Sequence, residues 1–384
     1  MQPGDVVYGR LEVDVAASLT LSNIRVDVNG NERITVDKSS HTYTETVRLL
    51  RHRIICFGFD GNKERVELAQ GSYSYPFTFQ IPVTAPPSVS PLYGWCRLSV
   101  SYTMEVIVDI PDVSDTSAKI PITVHSIVGA QQMIDSEAAV EYETALVAPC
   151  SCCEKEDKSV DVSVRIVPSM LLLTSDTMYY SSVMGHLADA IGGNLIPADV
   201  QHLFPDGLAP FTFGIIVTVR NHTTNTEIDD FEATLCQQVE GRIDVEGTDM
   251  SVICSAKSKG HYVGPGEEGQ FVIRMDLRKA YEKGELQPAI ETEFATLKQY
   301  ISVQSVNVPM VLRRTYPFMW AARVDETNCC PMLPATYGNE IVVPTNNYLA
   351  SGAGAAVAPT GGYAAVPVTE SREEEVWEDK RKDV

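Results

Sequence analysis

Thiols are the most concentrated reactive groups in this sequence, which contains nine cysteines. Three of them, Cys150, Cys152 and Cys153, lie in one segment of four residues, and Cys329 and Cys330 are adjacent. Such thiolates could bind a zinc ion, which favours four soft ligands in a tetrahedron, but the paired Cys-x-x-Cys spacing of structural zinc sites is missing. S-acylation at a membrane surface is an alternative. We interpret these residues as reduced thiols, and we predict neither a metal ion nor another cofactor.

Basic side chains are most concentrated in the run Arg-Leu-Leu-Arg-His-Arg, which supplies Arg48, Arg51, His52 and Arg53. The planar guanidinium group of arginine binds phosphate and carboxylate groups through paired hydrogen bonds. The run could therefore bind the phosphorylated tail of a cargo protein or an anionic lipid headgroup. Short charge clusters are also common on protein surfaces. We favour the interpretation that this one is a solvated strand face that pairs with Glu45 and nearby acidic residues.

A third candidate is a short peptide signal close to the C terminus. The four residues from Tyr363 to Val366 fit the pattern of a sorting signal, in which a tyrosine and a hydrophobic residue three positions later occupy pockets of a partner. Four-residue patterns of this kind arise often by chance. The segment is a candidate because the surrounding composition predicts an exposed tail.

The sequence contains no recognisable catalytic motif. Its seven histidines are scattered, and neither a Gly-x-Ser-x-Gly elbow nor a His-Glu-x-x-His helix occurs. Residues 264–269, Gly-Pro-Gly-Glu-Glu-Gly, precede a strand pattern, so they do not predict a phosphate-binding loop at the start of a helix. These features favour a binding protein over an enzyme. A hydrolase whose site is assembled from scattered residues stays an alternative.

Length and charge narrow the class of protein further. A chain of 384 residues predicts two domains plus a remainder. The formal net charge of -21, from 51 acidic and 30 basic residues, argues against broad nucleic-acid binding. The first residues lack the basic and apolar regions of a secretion signal, and no window reaches about 18 consecutive apolar residues. We therefore expect a cytoplasmic protein without a membrane span, and its odd number of cysteines does not suggest a secreted disulfide framework.

Alternating hydrophobic residues predict strands through most of the chain. In the segment 71–81, aromatic residues and Ile81 occupy every second position, which is the period of a half-buried strand. Pro76 and Pro82 confine this strand to a sheet edge, because proline cannot donate a backbone hydrogen bond. A second series of alternating strands begins near Val160, after the cysteine cluster. Two series of short strands separated by turn residues predict an all-β protein of two sandwiches.

Two segments depart from this pattern. Between Ser175 and Gly207, the residues Val183, Leu187 and Ile191 have helical spacing, and we expect a helical insertion on the second sandwich. From residue 323 to 384, small, polar and charged residues dominate. Such a composition buries too little apolar surface to offset the entropy lost on ordering, so we predict a flexible, disordered tail.

Several stretches resemble the arrestin-domain-containing proteins, the alpha-arrestins. Their order and spacing are more specific than any single motif. The stretches that carry the resemblance are residues 3–15 (PGDVVYGRLEVDV), residues 71–110 (beginning GSYSYPFTFQ), the cysteine cluster, residues 211–240 (ending LCQQVE) and residues 260–277 (GHYVGPGEEGQFVIRMDL). Together they cover most of residues 3–315.

The resemblance implies two tandem immunoglobulin-like arrestin β-sandwich domains joined by a short hinge. On this basis we predict an N-terminal sandwich at residues 1–145 and a hinge with the cysteine cluster at 146–158. The C-terminal sandwich follows at 159–322, with the insertion at 175–207, and the tail occupies 323–384. Family members usually have a further strand ahead of the Pro-Gly turn, so we expect an open sheet edge at the start or a missing N-terminal segment.

The resemblance also implies a non-enzymatic adaptor that binds cytoplasmic segments of membrane cargo in protein transport, endocytosis or signalling. Such a protein would act at the plasma membrane or endosomes, with trafficking or ubiquitination machinery as its partners. Many family members recruit WW-domain ligases through Pro-Pro-x-Tyr motifs, and this tail has none. A subunit of a retromer-like sorting coat shares the two-sandwich plan and is an alternative. A secreted or structural sandwich protein is a further one.

Overall fold

The fold consists mainly of β-strands, as shown by a computed structural model of the chain. Helices make up a small part of it, so the predicted all-β class is confirmed. The structure describes residues 1–60, 65–90, 92, 94–112, 115–129, 133, 141–146, 159–190, 196–258, 262–308, 310, 312 and 314–325. The cysteine cluster lies outside the described residues, and so does the predicted tail except for residues 323–325. These three residues form a strand, so the predicted start of the disordered tail at residue 323 is wrong.

The first half of the chain forms one sandwich. Its strands are β1 (Val6–Val15), β2 (Leu19–Leu21), β3 (Asn23–Lys38), β4 (His41–Gly58), β5 (Val66–Leu68), β6 (Gly71–Gln80), β7 (Cys96–Asp109) and β8 (Thr116–Ile122). A further strand, β9 (Ile127–Gly129), pairs in parallel with residues 323–325 of the second half. One sheet has the antiparallel order β4-β3-β7-β8, and β1 pairs with β6 to form a second sheet. Inward-facing residues of both sheets share one apolar cluster.

The predicted aromatic strand is β6, which pairs with β1 along its whole length. Its residues Phe77 and Phe79 are buried in the sandwich core, and Pro76 lies opposite Arg10. Among the described residues β6 pairs with no other strand, so its predicted place at a sheet edge is confirmed. The ring of Phe77 covers Gly9, and a side chain at that position would collide with it. Glycine is therefore needed where the two strands face each other.

The second half forms another sandwich. Its strands are β10 (Glu141–Leu146), β11 (Ser159–Val167), β12 (Met170–Leu172), β13 (Thr212–Asn221), β14 (Ile228–Asp229), β15 (Phe231–Arg242), β16 (Glu246–Lys257), β17 (Tyr262–Val263), β18 (Glu268–Asp276), β19 (Ile290–Glu291), β20 (Ala295–Ser305), β21 (Thr315–Ala321) and β22 (Arg323–Asp325). One sheet has the order β10-β11-β13-β18. The other has the order β12-β21-β20-β15-β16, with β19 beside β20.

Strand β10 belongs to the second sandwich, because it pairs antiparallel with β11 from Glu141 to Leu146. Leu146 lies opposite Ser159, so the interval 147–158 connects two neighbouring strands of one sheet. The sequence placed the hinge between the sandwiches at 146–158 and the start of the second sandwich at 159. In the structure the strand at 141–146 is already part of that second sandwich. Residues 147–158 themselves lie outside the described residues.

The predicted insertion contains helix α1 (Thr177–Ala190), and a second, short helix is α2 (Arg278–Glu282). Asp176 precedes α1, and its carboxylate accepts a hydrogen bond from the backbone N–H of Tyr179 at 3.0 Å, which is a side-chain N-cap. Val183 and Leu187 are buried, as their spacing predicts. They pack in a small cluster with residues of β9, β12, β21 and β22. Neither this helix nor any other described one is both long and apolar enough to cross a membrane.

The two sandwiches share a continuous apolar contact. The core cluster of the first sandwich includes Val239, Ala295 and Leu297, which lie on β15 and β20 of the second. Val36 of β3 packs so closely on the start of β16 that a methyl group at Gly247 would lie 2.7 Å from its Cγ1. Burial of apolar surface between the halves stabilises their relative arrangement.

Candidate anion-binding face

A β-bulge in strand β4 brings two arginines of the basic run to the same face of the sheet. The pairing of β3 with β4 shifts between Gly30 and Asn31, so that Leu50 lies opposite Gly30, Arg48 lies opposite Asn31, and the residue between them is unpaired. Without a bulge, positions 48 and 51 would point to opposite faces, because side chains alternate along a strand. With the extra residue, the buried leucines both point inward, and Arg48 and Arg51 both point outward.

A third arginine, Arg33 of β3, extends this outward face. It lies opposite Thr46 on β4 and Ser99 on β7, which makes Arg48 its diagonal neighbour across the strand pair. Diagonal neighbours in an antiparallel pair lie about 7–8 Å apart, within reach of long side chains. We call the surface formed by Arg33, Arg48 and Arg51 the arginine face.

The remaining side chains of the arginine face are uncharged hydrogen-bonding groups. Asn31 and Asn29 lie on β3 opposite Arg48 and Arg51, and Ser101 and Thr103 lie opposite these asparagines on β7. Each is exposed or half-buried. Amide and hydroxyl groups donate hydrogen bonds to anions, so the neighbours of the arginines suit the same class of ligand.

Carboxylates on the same side of the sheet have basic partners of their own. Asp27 pairs with Arg53 at 3.1 Å and with Arg25 at 3.4 Å. Asp37 pairs with Arg97 at 2.7 Å, at the other end of the strands. Among the described residues, the ion pairs do not include Arg33 or Arg48. These two guanidinium groups are therefore left to interact with solvent or a ligand.

The basic side chains of residues 48–53 differ in the face on which they lie and in their partners. His52 lies opposite Val28, on the inward side, and is buried. Arg53 faces outward, but it is held by Asp27 and lies 3.7 Å from Asp60, and the hydrogen bond with Asp27 raises its pKa. Glu45 lies opposite Ile34, so it points to the other face of the sheet. The expected pairing of the arginines with Glu45 is wrong, because the register places them on opposite faces.

Sequence reasoning missed Arg33 because it is isolated in the chain. It stands 15 positions before Arg48 and joins the face only through strand pairing. The one signal in the sequence is the Asn29-Gly30-Asn31 segment, since glycine inside a strand often marks a bulge. The other sequence candidates, Cys150, Cys152, Cys153, Tyr363 and Val366, lie outside the described residues. Within the described part of the chain, no cluster of histidine, cysteine and carboxylate side chains is placed to hold a metal ion.

A second polar feature lies where the sandwiches meet. Glu32 of β3 is 1% exposed, and its Oε1 accepts a hydrogen bond from the Thr292 hydroxyl of the second sandwich at 2.6 Å. Its Oε2 has no hydrogen-bond partner among the described residues. Burial raises the pKa of Glu32, and the nearby Glu293 carboxylate acts in the same direction. Uncharged contacts join the halves as well: Ser90 N–H donates to Gln287 Oε1 at 2.9 Å.

Comparison with known families identifies the first sandwich. Residues 1–130 match the family described as arrestin (or S-antigen), N-terminal domain. The chain therefore contains an arrestin-like N-terminal domain at residues 1–130. Proteins of this family are generally non-enzymatic and adaptor-like. A search of curated proteins gave no match to the chain.

The arginine face and the strand β6 both lie within this arrestin N-terminal domain, since the match extends to residue 130. The second sandwich lies beyond the matched residues, and the structure alone establishes its fold. The open edge of the arrestin domain is formed by β1 and β6, which pair only with each other among the described residues.

Proposed function

We propose that this arrestin-domain protein is a non-enzymatic adaptor that binds anionic cytoplasmic segments of membrane proteins at its arginine face. The observation that carries the proposal is the bulge in β4, which gathers Arg48 and Arg51 beside Arg33 on an exposed sheet surface of the arrestin domain. Arginines with this spacing can form several charge-assisted hydrogen bonds with phosphate or carboxylate groups. As an adaptor, the protein would act in protein transport, endocytosis or signalling.

Charge supports the choice of an anionic partner. The protein as a whole carries a formal charge of -21, so its net charge repels anions. A cationic face on such a protein orients an acidic partner, because it attracts the partner while the net charge of the protein repels it. A segment carrying phosphoserine or clustered acidic residues would therefore bind at one place and in one orientation.

The test measures binding of a synthetic peptide containing several phosphoserines and of the same peptide without phosphate. We expect Arg33→Glu and Arg48→Glu each to weaken binding of the phosphorylated peptide about tenfold or more, because each removes a charged hydrogen-bond donor and adds a repulsive carboxylate. The wild-type affinity should fall as salt concentration rises. Fluorescence anisotropy at several salt concentrations checks both expectations.

The matched control is Arg10→Glu, which makes the same change of charge on β1, at an exposed position in the other sheet of the first sandwich. It should leave the affinity within about twofold of wild type, because exposed charges beyond a Debye length are screened. Equal losses in Arg10→Glu and Arg33→Glu would mean that only net charge matters, and the arginine face would be rejected. Binding only to vesicles of anionic lipid, and not to the peptide, would replace a cargo segment with a membrane surface.

A cellular experiment tests the adaptor role itself. Proximity labelling with wild type and with the double variant Arg33→Glu and Arg48→Glu should identify membrane proteins that are lost in the variant. Stable recovery of the same coat subunits with both would favour the retromer-like alternative, in which the protein is a permanent subunit.

A further inference from the structure

A cavity of about 490 Å³ lies between helix α1 and the second sandwich, away from the arginine face. Its walls come from the helix, from strand β12 and from residues 208–212, which lead into β13. Pockets for small molecules typically measure about 300–1,000 Å³ and are mostly apolar with few polar groups. The volume of this cavity lies within that range.

The described side chains around the cavity carry no charge. Three methionines, Met133, Met170 and Met184, contribute flexible thioethers, and the remaining lining side chains are aliphatic except for Tyr180 and Thr212. Charged residues make up 21% of the whole sequence, so their absence from the described lining is a selective feature. A ligand must therefore bury an apolar portion here, since an unpaired charge or polar group inside would lose its hydration without compensation.

The burial of its lining residues shows that the cavity has a closed end and an open end. Met170, Leu172 and Ile196 are each at most 5% exposed and form the closed end. Ala209 is exposed and Thr212 is half-buried, so the open end lies where the chain enters β13. An elongated ligand can place its apolar part against the buried end and leave a polar head in water.

Helix α1 contributes a row of side chains to the cavity. Tyr180, Met184 and Ala188 follow each other at intervals of four residues and line the cavity. Val183 and Leu187 pack into the cluster with β9, β21 and β22. Residues four apart lie on the same side of a helix. The same apolar side of the helix therefore attaches it to the protein and covers the cavity, since Tyr180 and Met184 also pack against this cluster.

We propose that this cavity binds a single saturated aliphatic chain, such as that of a fatty acid, with the polar head at the open end near Ala209 and Thr212. The lining favours a flexible chain over a planar aromatic ligand, because methionines adapt to an irregular chain and Tyr180 is the one aromatic ring among the described lining residues. A cavity of 150 Å³ holds benzene, about 25 Å³ for each carbon, so 490 Å³ corresponds to roughly 15 to 20 carbon atoms.

The test is a titration of the full-length protein with saturated fatty acids of increasing length, below their micelle concentrations, followed by displacement of a dansyl-labelled undecanoic acid. We expect saturable binding of one ligand per chain. The affinity should rise about fourfold for each added methylene until the chain fills the cavity, and then level off. Absence of saturable displacement, or an affinity that does not depend on chain length, would overturn the proposal.

Two variants block the site in different ways. Ala188→Phe places a ring inside the cavity, and Ala209→Trp covers the open end from an exposed position, where folding is least affected. Each should weaken binding at least tenfold. Ser182→Phe is the control, since it adds the same ring as Ala188→Phe at an exposed position of the same helix, and it should bind as wild type. Wild-type binding by a folded Ala209→Trp variant would reject the site.

A second experiment shows whether the bound aliphatic chain belongs to a bilayer lipid or to a free fatty acid. It measures co-sedimentation of the protein with vesicles of neutral phosphatidylcholine. Sedimentation that Ala209→Trp abolishes and Ser182→Phe retains would assign the chain to a bilayer lipid. Binding of free fatty acid without sedimentation would assign it to a fatty acid in solution. Because the arginine face is not involved, Arg33→Glu should leave both measurements unchanged.

Discussion

Replacing Leu297 with alanine is expected to lower the free energy of unfolding by about 2–5 kcal/mol, the usual cost of removing a buried leucine side chain. Leu297 is 1% exposed and lies on β20 of the second sandwich, but it belongs to the core cluster of the first. Its loss should therefore loosen both halves, because the shared cluster stabilises the arrangement of one against the other.

Ile301→Ala is the matched control for this prediction. Ile301 lies four positions later on the same strand and is fully buried, but its cluster contains residues of the second sandwich only. Hydrogen exchange followed by mass spectrometry separates the two variants. Leu297→Ala should accelerate exchange in β3, around Ile34 and Val36, whereas Ile301→Ala should mainly affect β15 and β20. Unchanged exchange in β3 for a folded Leu297→Ala protein would show that the halves are energetically independent.

Local patterns in the sequence were sufficient to predict several of the longer strands. Alternation of side chains is a property of a single strand, so β1, β6 and β11 could be recognised from residues such as Tyr73, Phe77 and Val160 without knowledge of their partners. The same holds for helix α1, whose buried residues Val183 and Leu187 have helical spacing. These elements are specified by residues close together in the chain.

The candidate site could not be predicted in the same way, because it depends on pairing between strands. Strict alternation would separate Arg48 from Arg51, and only the shift in register between β3 and β4 unites them. Arg33 joins them from another strand. The contact between Glu32 and Thr292 joins residues 260 positions apart in the chain, and nothing near either residue indicates it. Long-range pairing therefore determines both polar features.

Glu32→Gln is expected to stabilise the protein near neutral pH by on the order of 1 kcal/mol, because it removes a buried charge whose hydrogen bonds are incomplete. The pKa of Glu32 is raised from its ordinary value of 4.5, chiefly by burial. A carboxyl group with a raised pKa in the folded state binds more protons there than in the unfolded state. Its contribution to stability is therefore fully present below about pH 4.5 and is lost as pH rises through the folded-state pKa.

The raised pKa of Glu32 determines how the difference in stability between wild type and Glu32→Gln changes with pH. Wild type and Glu32→Gln should have nearly equal stabilities at low pH, where Glu32 is protonated in both states. As pH rises above 4.5, the wild type should lose stability relative to the variant until Glu32 is fully ionised, and the difference should then stay constant. Urea unfolding of both proteins between pH 4 and 8 measures the difference directly.

Glu12→Gln provides the control, since it makes the same chemical change on the exposed side of β1. Its difference from wild type should stay small over the whole range. The groups that act on Glu32 are Glu293, which disfavours its charge, and Thr292, whose hydrogen bond favours it. If the hydrogen bond outweighed burial, Glu32→Gln would destabilise the protein at neutral pH. That outcome would show that the contact between the sandwiches relies on an ionised carboxylate, and that the halves separate more easily in acid instead of less.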